Sequence, residues 1–268
     1  MSYPPAGPGE EFASGPESVP TTSTSTAARL FGDRLPLAEA YAELLCTEGV
    51  RRGLIGPREA PRIWERHLLN CAVVAELLPT STTIFDVGSG AGLPGLVLAI
   101  ARPDLAVVLI EPLARRTVFL TEAVGELGLA DTVTVFRGRA EEWGRTPETA
   151  GFPAADVVTA RAVAPLDRLA GWCLPLARSG GRLLALKGAT AAEEIAEHAG
   201  AVARLGGGDP VLRQCGVGVI EPPTTVVEIV RERIVETGRR SAEPRQPAKS
   251  RRPRRSAAAI ERKRDARR

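Results

Sequence analysis

The stretch Ile84-Phe-Asp-Val-Gly-Ser-Gly-Ala-Gly-Leu-Pro-Gly95 decides the fold. Ile84 to Val87 is a short apolar run of the kind that forms a buried strand. Gly88, Gly90, Gly92 and Gly95 then make a turn, and Leu96 to Ala101 carries an apolar helical pattern. Strand, glycine turn and helix in that order form the layout of a cofactor-binding crossover in a parallel sheet. Glycines suit the turn because they tolerate positive φ and let a ligand approach the backbone. The turn by itself does not say which cofactor.

Downstream, the pattern alternates. Leu105 to Ile110 reads as a second strand ending in Glu111, and Ala114 to Leu127 as a helix. Val133 to Phe136 is a third strand, followed by Arg139-Ala-Glu-Glu-Trp143. Val157 to Ala160 is a fourth, followed by Arg161-Ala-Val-Ala-Pro165 and a helix over Leu166 to Leu176. Arg182 to Leu186 is a fifth, ending in Lys187-Gly188, with a helix over Thr190 to Ala203. Two late β-rich runs, Leu212 to Ile220 and Thr225 to Ile234, flank Glu221-Pro222-Pro223 and read as a closing hairpin-like pair. Repeated βα units predict an α/β fold, a parallel sheet with helices on both faces.

Upstream, Leu37, Ala40, Tyr41, Leu44 and Leu45 recur at helical spacing within Leu35 to Val50, with Pro36 in the first turn. A second helix is predicted from Arg58 to Leu78, ended by Pro79. These make a helical N-terminal extension. Residues 1–27, rich in Pro, Gly, Ser and Thr, read as disordered.

With 268 residues and 44% apolar composition, the chain fits a globular protein with one sizeable core. No apolar run approaches the roughly 18 residues of a membrane span, and the N-terminus shows no basic-then-apolar secretory signal. Cys46, Cys71, Cys173 and Cys215 are scattered and form no CxxC pair. Reduced thiols, a cytoplasmic location, no membrane and no metal are the expectations. The net charge of +3 hides an asymmetry: from Gly238 to Arg268 there are 13 Lys/Arg against 3 Asp/Glu, so a tail of +10 follows a body of −7. Such a tail fits a polyanion partner, and equally an inert solvated segment.

In a sheet of this kind, ligand groups collect beyond the carboxyl ends of the strands. That gathers the 88–95 turn, Glu111, Ala140-Glu141, Arg161 and Lys187. A carboxylate at Glu111 can accept both hydroxyls of an adenosine ribose. This fits NAD and S-adenosylmethionine equally. Three features favour the methyl donor: Asp86 two residues before the first glycine, the extra glycine in Gly88-x-Gly90-x-Gly92, and no dehydrogenase constellation. Only His67 and His198 are present, and neither lies at a strand end. His67 reads as a packing or capping residue and His198 as a surface one. An NAD-dependent oxidoreductase, and a non-catalytic RNA-binding protein with a relict cofactor site, stay as alternatives.

Asp86-Val-Gly-Ser-Gly-Ala-Gly-Leu-Pro-Gly95, Arg139-Ala-Glu-Glu142, Arg161-Ala162, Leu186-Lys-Gly188 and the upstream Trp64-Glu-Arg-His-Leu-Leu-Asn70 together resemble the RsmG/GidB family. Its members are bacterial 16S rRNA (guanine-N7)-methyltransferases that use S-adenosylmethionine. The resemblance covers about residues 35–236. It implies a Rossmann-like class I methyltransferase sheet over residues 81–236, preceded by the helical extension over 28–80; the basic tail over 237–268, read from its composition as disordered, lies outside the resemblance. The resemblance implies 16S rRNA or the small ribosomal subunit as partner; a monomer is expected, though no feature of the sequence fixes the oligomeric state. By the same resemblance Gly88 and Leu93 face the methionine and adenosine portions of the cofactor. Ala140-Glu141 brackets the adenine, and Arg161 faces both cofactor and target. Where the family often has an acidic residue followed by a small one, this chain has Glu111-Pro112.

Guanine N7 has a lone pair and no proton to lose, so no general base is required, and no single catalytic group stands out in the sequence. Arg161 and Lys187 are the polar candidates for the substrate: the Arg161 fork for a phosphate or guanine O6, or for a carboxylate that holds the loop. Among 35 cationic residues only three are lysines, and Lys187 is the sole one before residue 238. It is expected at the RNA-facing rim, against a phosphate.

Overall fold

The computed structural model describes residues 21–143, 153–161 and 164–235, with residues 21–24 as backbone only. The tail, the first twenty residues and Ala162 of the Arg161-Ala162 element lie outside the described residues.

The strands are β1 (Thr83–Val87), β2 (Ala106–Glu111), β3 (Val133–Arg137), β4 (Ala155–Arg161), β5 (Ala177–Leu186), β6 (Val211–Cys215) and β7 (Thr224–Val230). They form one sheet in the order β3-β2-β1-β4-β5-β7-β6. The first five are parallel, with Ile84 beside both Val107 and Val157. β7 runs antiparallel to β5 and β6. The hairpin-like pair expected at the end is therefore real, but its second strand inserts between β5 and its own partner. A fully parallel 3-2-1-4-5-6 sheet is the dinucleotide-binding arrangement; the reversed seventh strand sets this sheet apart as the Rossmann-like class I methyltransferase type.

Successive strand residues point to opposite faces. Ile84, Val107, Leu109, Val157 and Leu184 enter one apolar layer, whereas Phe85, Val87, Val108, Ile110, Val158 and Leu183 enter the other. The first layer is covered by α1 (Thr21–Phe31), α2 (Leu35–Leu44), a helical stretch that includes α3 (Leu69–Ala72), α4 (Gly95–Ala101) and α5 (Ala114–Glu126). The second is covered by α6 (Leu166–Cys173) and α7 (Ala191–Arg204).

Two expectations change here. Helix α1 starts at Thr21, inside the stretch read as disordered, because Ala27 and Phe31, four residues apart, bury themselves against the core. The helix expected from Arg58 to Leu78 is a succession of short pieces. A 3-10 turn at Ala60–Arg62 leads to a wider π turn at Trp64–Leu68, then α3, then a 3-10 turn at Val73–Leu77. It ends at Leu78, whose extended backbone (φ −98°, ψ 122°) suits the residue before a proline. Among the described residues no helix is long and apolar enough to cross a membrane.

The glycine turn is fixed from two sides. Gly88, Gly90 and Gly92 have φ of 71°, 59° and 100°, where L side chains are strained. The buried Tyr41 of α2 donates its hydroxyl to Ala91 O at 2.6 Å, tying the extension to the turn. At the end of the turn Gly95 lets α4 lie close on β2. A Cβ there would stand 2.4 Å from Leu109 Cδ2 and 2.8 Å from Asp86 Oδ2. Gly95→Ala is thus expected to lower stability by about 1–3 kcal/mol, the usual cost of overpacking, as read by chemical denaturation. An unchanged midpoint would show that α4 can slide without cost.

Candidate active site

The carboxyl ends of β1, β2, β3 and β4 open onto a cavity of about 550 Å³, within the range of small-molecule sites. Gly88, Leu93, Glu111, Ala140, Glu141 and Arg161, the six residues expected at the cofactor, all line it. Leu54, Ile55 and His67 of the extension, and Trp172 of α6, close its other sides.

Glu111 is the most constrained of the six. It is buried, and its two carboxylate oxygens accept N–H groups on opposite sides: Oε2 from Gly90 and Oε1 from Leu113, each at 3.0 Å. Arg116 adds a longer contact at 3.4 Å. A carboxylate has about four lone-pair sites, so these bonds aim the group and leave acceptor capacity toward the cavity. Two vicinal hydroxyls are the donors such a group fits. The next wall is the short turn at Ala140–Glu142. Glu142 Oε2 accepts Arg139 N–H at 2.9 Å and holds this turn closed. Behind it, Trp143 packs edge-on to Phe85 and Phe136, with centroids 4.6 and 5.2 Å away.

Asp86 is absent from the lining. It shares the face of Ile84, so its side chain points under the turn toward α4. There Oδ1 accepts the Thr159 hydroxyl at 2.8 Å and Oδ2 accepts Gly95 N–H at 3.2 Å. Both partners are neutral, and burial pushes Asp86 up to about 6, with its hydrogen bonds and the Arg161 charge opposing that rise. The acid that pointed to the methyl donor in the sequence is a clamp for the turn.

Arg161 stands where the cavity meets a second, larger depression of about 1200 Å³, and it lines both. Its guanidinium donates to Cys71 Sγ at 3.3 Å, to Arg66 O at 3.4 Å and to His67 Nδ1 at 2.6 Å. Among the described residues no carboxylate pairs with it, so the loop-holding ion pair considered from sequence is not what fixes it. His67 in turn contacts Glu59 Oε2 through Nε2 at 3.2 Å. Sequence reasoning passed over this His67 contact; the Trp64-to-Asn70 resemblance was the only signal for it.

Lys187 departs from expectation. It lines only the larger depression, and its side chain is 9% exposed. Nζ donates to Ala164 O at 2.8 Å and to Glu194 Oε2 at 2.6 Å. The ammonium is neutralised inside the protein by Glu194, which lies in the helix expected over Thr190 to Ala203, rather than standing free at the rim. The cysteines offer no nucleophile: burial pushes the thiols of Cys46, Cys71 and Cys173 up, and Cys215 to about 12. Among the described residues no group of three His, Cys, Asp or Glu could hold a metal.

Residues 34–216 match the model of the GidB family, described as rRNA small subunit methyltransferase G. The chain is 68% identical over 223 residues to the ribosomal RNA small subunit methyltransferase G of Salinispora tropica, covering 83% of this chain and 92% of that one. It is 54% identical to the protein of the same name from Rhodococcus jostii, over 81% of this chain and 93% of that one. With the Streptomyces coelicolor protein of that name the identity is 57%, over 75% and 81%.

The Asp86 clamp has a pH signature. Its folded value lies above its unfolded one, so its contribution to stability is fully present below the unfolded value and is lost as pH rises through about 6. Relative to Asp86→Asn, the unfolding free energy of the wild type should fall by about 3 kcal/mol between about pH 4 and pH 7. Parallel stability curves for the two proteins would show that Asp86 ionises freely in the fold.

Proposed function

The chain belongs to the GidB family, rRNA small subunit methyltransferase G, and on that premise we propose that it methylates N7 of a guanosine in 16S rRNA, using S-adenosylmethionine, in the cytoplasm. The observation that carries this reading is the meeting of the strand-end cavity and a larger depression beside it at one cation, Arg161. The first is of cofactor size; the second has room for an RNA segment. Neither alternative is supported. The reversed seventh strand is foreign to the dinucleotide sheet, and a complete cavity with a pinned carboxylate argues against a relict site.

The residues present fit the methyl donor. Positive-φ glycines leave no Cβ in the cradle of the turn, and Glu111 has spare acceptor capacity for a ribose. In this reading Gly88 and Leu93 face the methionine and adenosine portions, Glu111 takes the ribose hydroxyls, and Ala140-Glu141 brackets the adenine. When bound, S-adenosylmethionine supplies a sulfonium methyl whose C–S bond breaks, leaving its electron pair on sulfur, as a nucleophile bonds the carbon. Guanine N7 brings its own lone pair, so the protein needs no base. Its residues contribute orientation, for which well-aligned reactions gain at most about 7–11 kcal/mol, and fixed dipoles and charges. Arg161 is the group placed to hold guanine O6 or a neighbouring phosphate with its N–H fork. Residues 81–236 form the methyltransferase domain in this account, and residues 28–80 complete its cavity with Leu54, Ile55 and His67.

The test is transfer of labelled methyl from S-adenosylmethionine to small ribosomal subunits from a strain lacking the endogenous enzyme. The wild type should label 16S rRNA. Glu111→Ala, which removes a charged acceptor, should raise the KM for S-adenosylmethionine about 10- to 100-fold. No labelling by the wild type would overturn the proposal, and an unchanged KM would overturn the role of Glu111.

A further inference from the structure

Among the described residues, Arg161 is the strand-end residue of the cavity that is held mainly by the helical extension. Its three partners, Cys71 Sγ, Arg66 O and His67 Nδ1, all come from the stretch that includes α3. The shortest contact is the one to His67, at 2.6 Å. A guanidinium carries only donors, so Nδ1 must offer a lone pair, and the ring proton must reside on Nε2. There it faces Glu59 Oε2 at 3.2 Å, the acceptor that this tautomer requires. Glu59, His67 and Arg161 thus form a directional relay: carboxylate, imidazole, guanidinium.

We propose that His67 is a positioning residue: as the neutral Nε2–H tautomer fixed by Glu59, it aims Arg161 at the junction of cavity and depression. The positioning role rests on the methyl-transfer reading; the tautomer does not. A protonated His67 would turn an N–H toward the Arg161 N–H and set two cations at hydrogen-bond distance. The surroundings favour the neutral ring. Burial and the Arg161 charge hold His67 below the ordinary imidazole range, with Arg66 adding to this and Glu59 opposing it. The other titratable groups facing the relay are Cys71 of α3, whose thiol burial keeps protonated, Asp86 of β1 and Tyr41 of α2. The role also gives the extension a chemical purpose. The sheet supplies Arg161, but among the described residues only the extension holds its guanidinium.

Two measurements on the full chain test this. The sequence has two histidines, so imidazole ¹⁵N NMR needs only His198→Gln for assignment. Near neutral pH the His67 Nδ1 should resonate as an unprotonated nitrogen and Nε2 as a protonated one; the opposite tautomer or an imidazolium would overturn the proposal. In methyl transfer to small subunits, His67→Leu should lower kcat at least about tenfold with little change in the KM for S-adenosylmethionine. His67→Asn, whose Oδ1 can stand near the place of Nδ1, should restore most of kcat. Wild-type kcat in His67→Leu, or equal losses in both variants, would overturn the role. A wild type that shows the tautomer yet methylates nothing would overturn the functional reading, and the positioning role with it, while leaving the tautomer standing.

Discussion

A buried carboxylate with two neutral donors determines where everything else can stand. Asp86 accepts Thr159 Oγ1 from β4 and Gly95 N–H from the start of α4, so one side chain binds two strands and a helix at the point where the chain leaves β1. Between those fixed ends the glycine turn has a single path, and the positive-φ glycines let it take that path. Tyr41 pins the middle of the turn from the extension. Glu111 pins it from β2 by accepting Gly90 N–H. The cavity is the space those three anchors leave. Its cost is a charge held in a low-dielectric site, which is why Asp86 titrates well above an ordinary aspartate.

The two carboxylates near the turn divide the labour by the period of the strand. Asp86 lies on the face of the extension and α4, and serves structure. Glu111, last in β2, turns to the cavity and keeps lone pairs for a ligand. Arg161 then closes the site at the far strand end, held by Cys71 Sγ, Arg66 O and His67 Nδ1, with no carboxylate ion pair among the described residues. A cation without a carboxylate ion-pair partner among the described residues, at the mouth of the strand-end cavity, is suited to an anionic polymer or an electron-rich base edge. The strongly basic segment after residue 237, in a chain whose body is acidic, agrees with a polyanionic partner.

Much of this was legible in the sequence because the strands are short, apolar and separated by helical patterns of ordinary length. All seven strands were located by periodicity, and the strand-end rule gathered six residues that do line one cavity. What sequence could not supply were the contacts made across it. Strand order is a tertiary property, so β7 read as a hairpin partner rather than an insertion beside β5. The π and 3-10 turns of the extension leave the same apolar spacing as a regular helix, so Arg58 to Leu78 read as one. Asp86 sits next to the turn in sequence, yet the alternation of side chains places it behind the cavity. Lys187, singled out by its rarity, found its partner in Glu194 seven residues on. His67, read as packing, instead links Glu59 to Arg161, a relay visible only once the extension lies against the sheet.

The central claim is a methyl group placed on guanine N7 of the small-subunit rRNA. It is tested most directly by primer extension along 16S rRNA after N7-specific cleavage, in cells with and without the gene. The account predicts one guanosine that cleaves when the gene is present and stays intact when it is absent. Identical cleavage patterns in the two strains, or a gene-dependent methyl group on another atom or base, would contradict it.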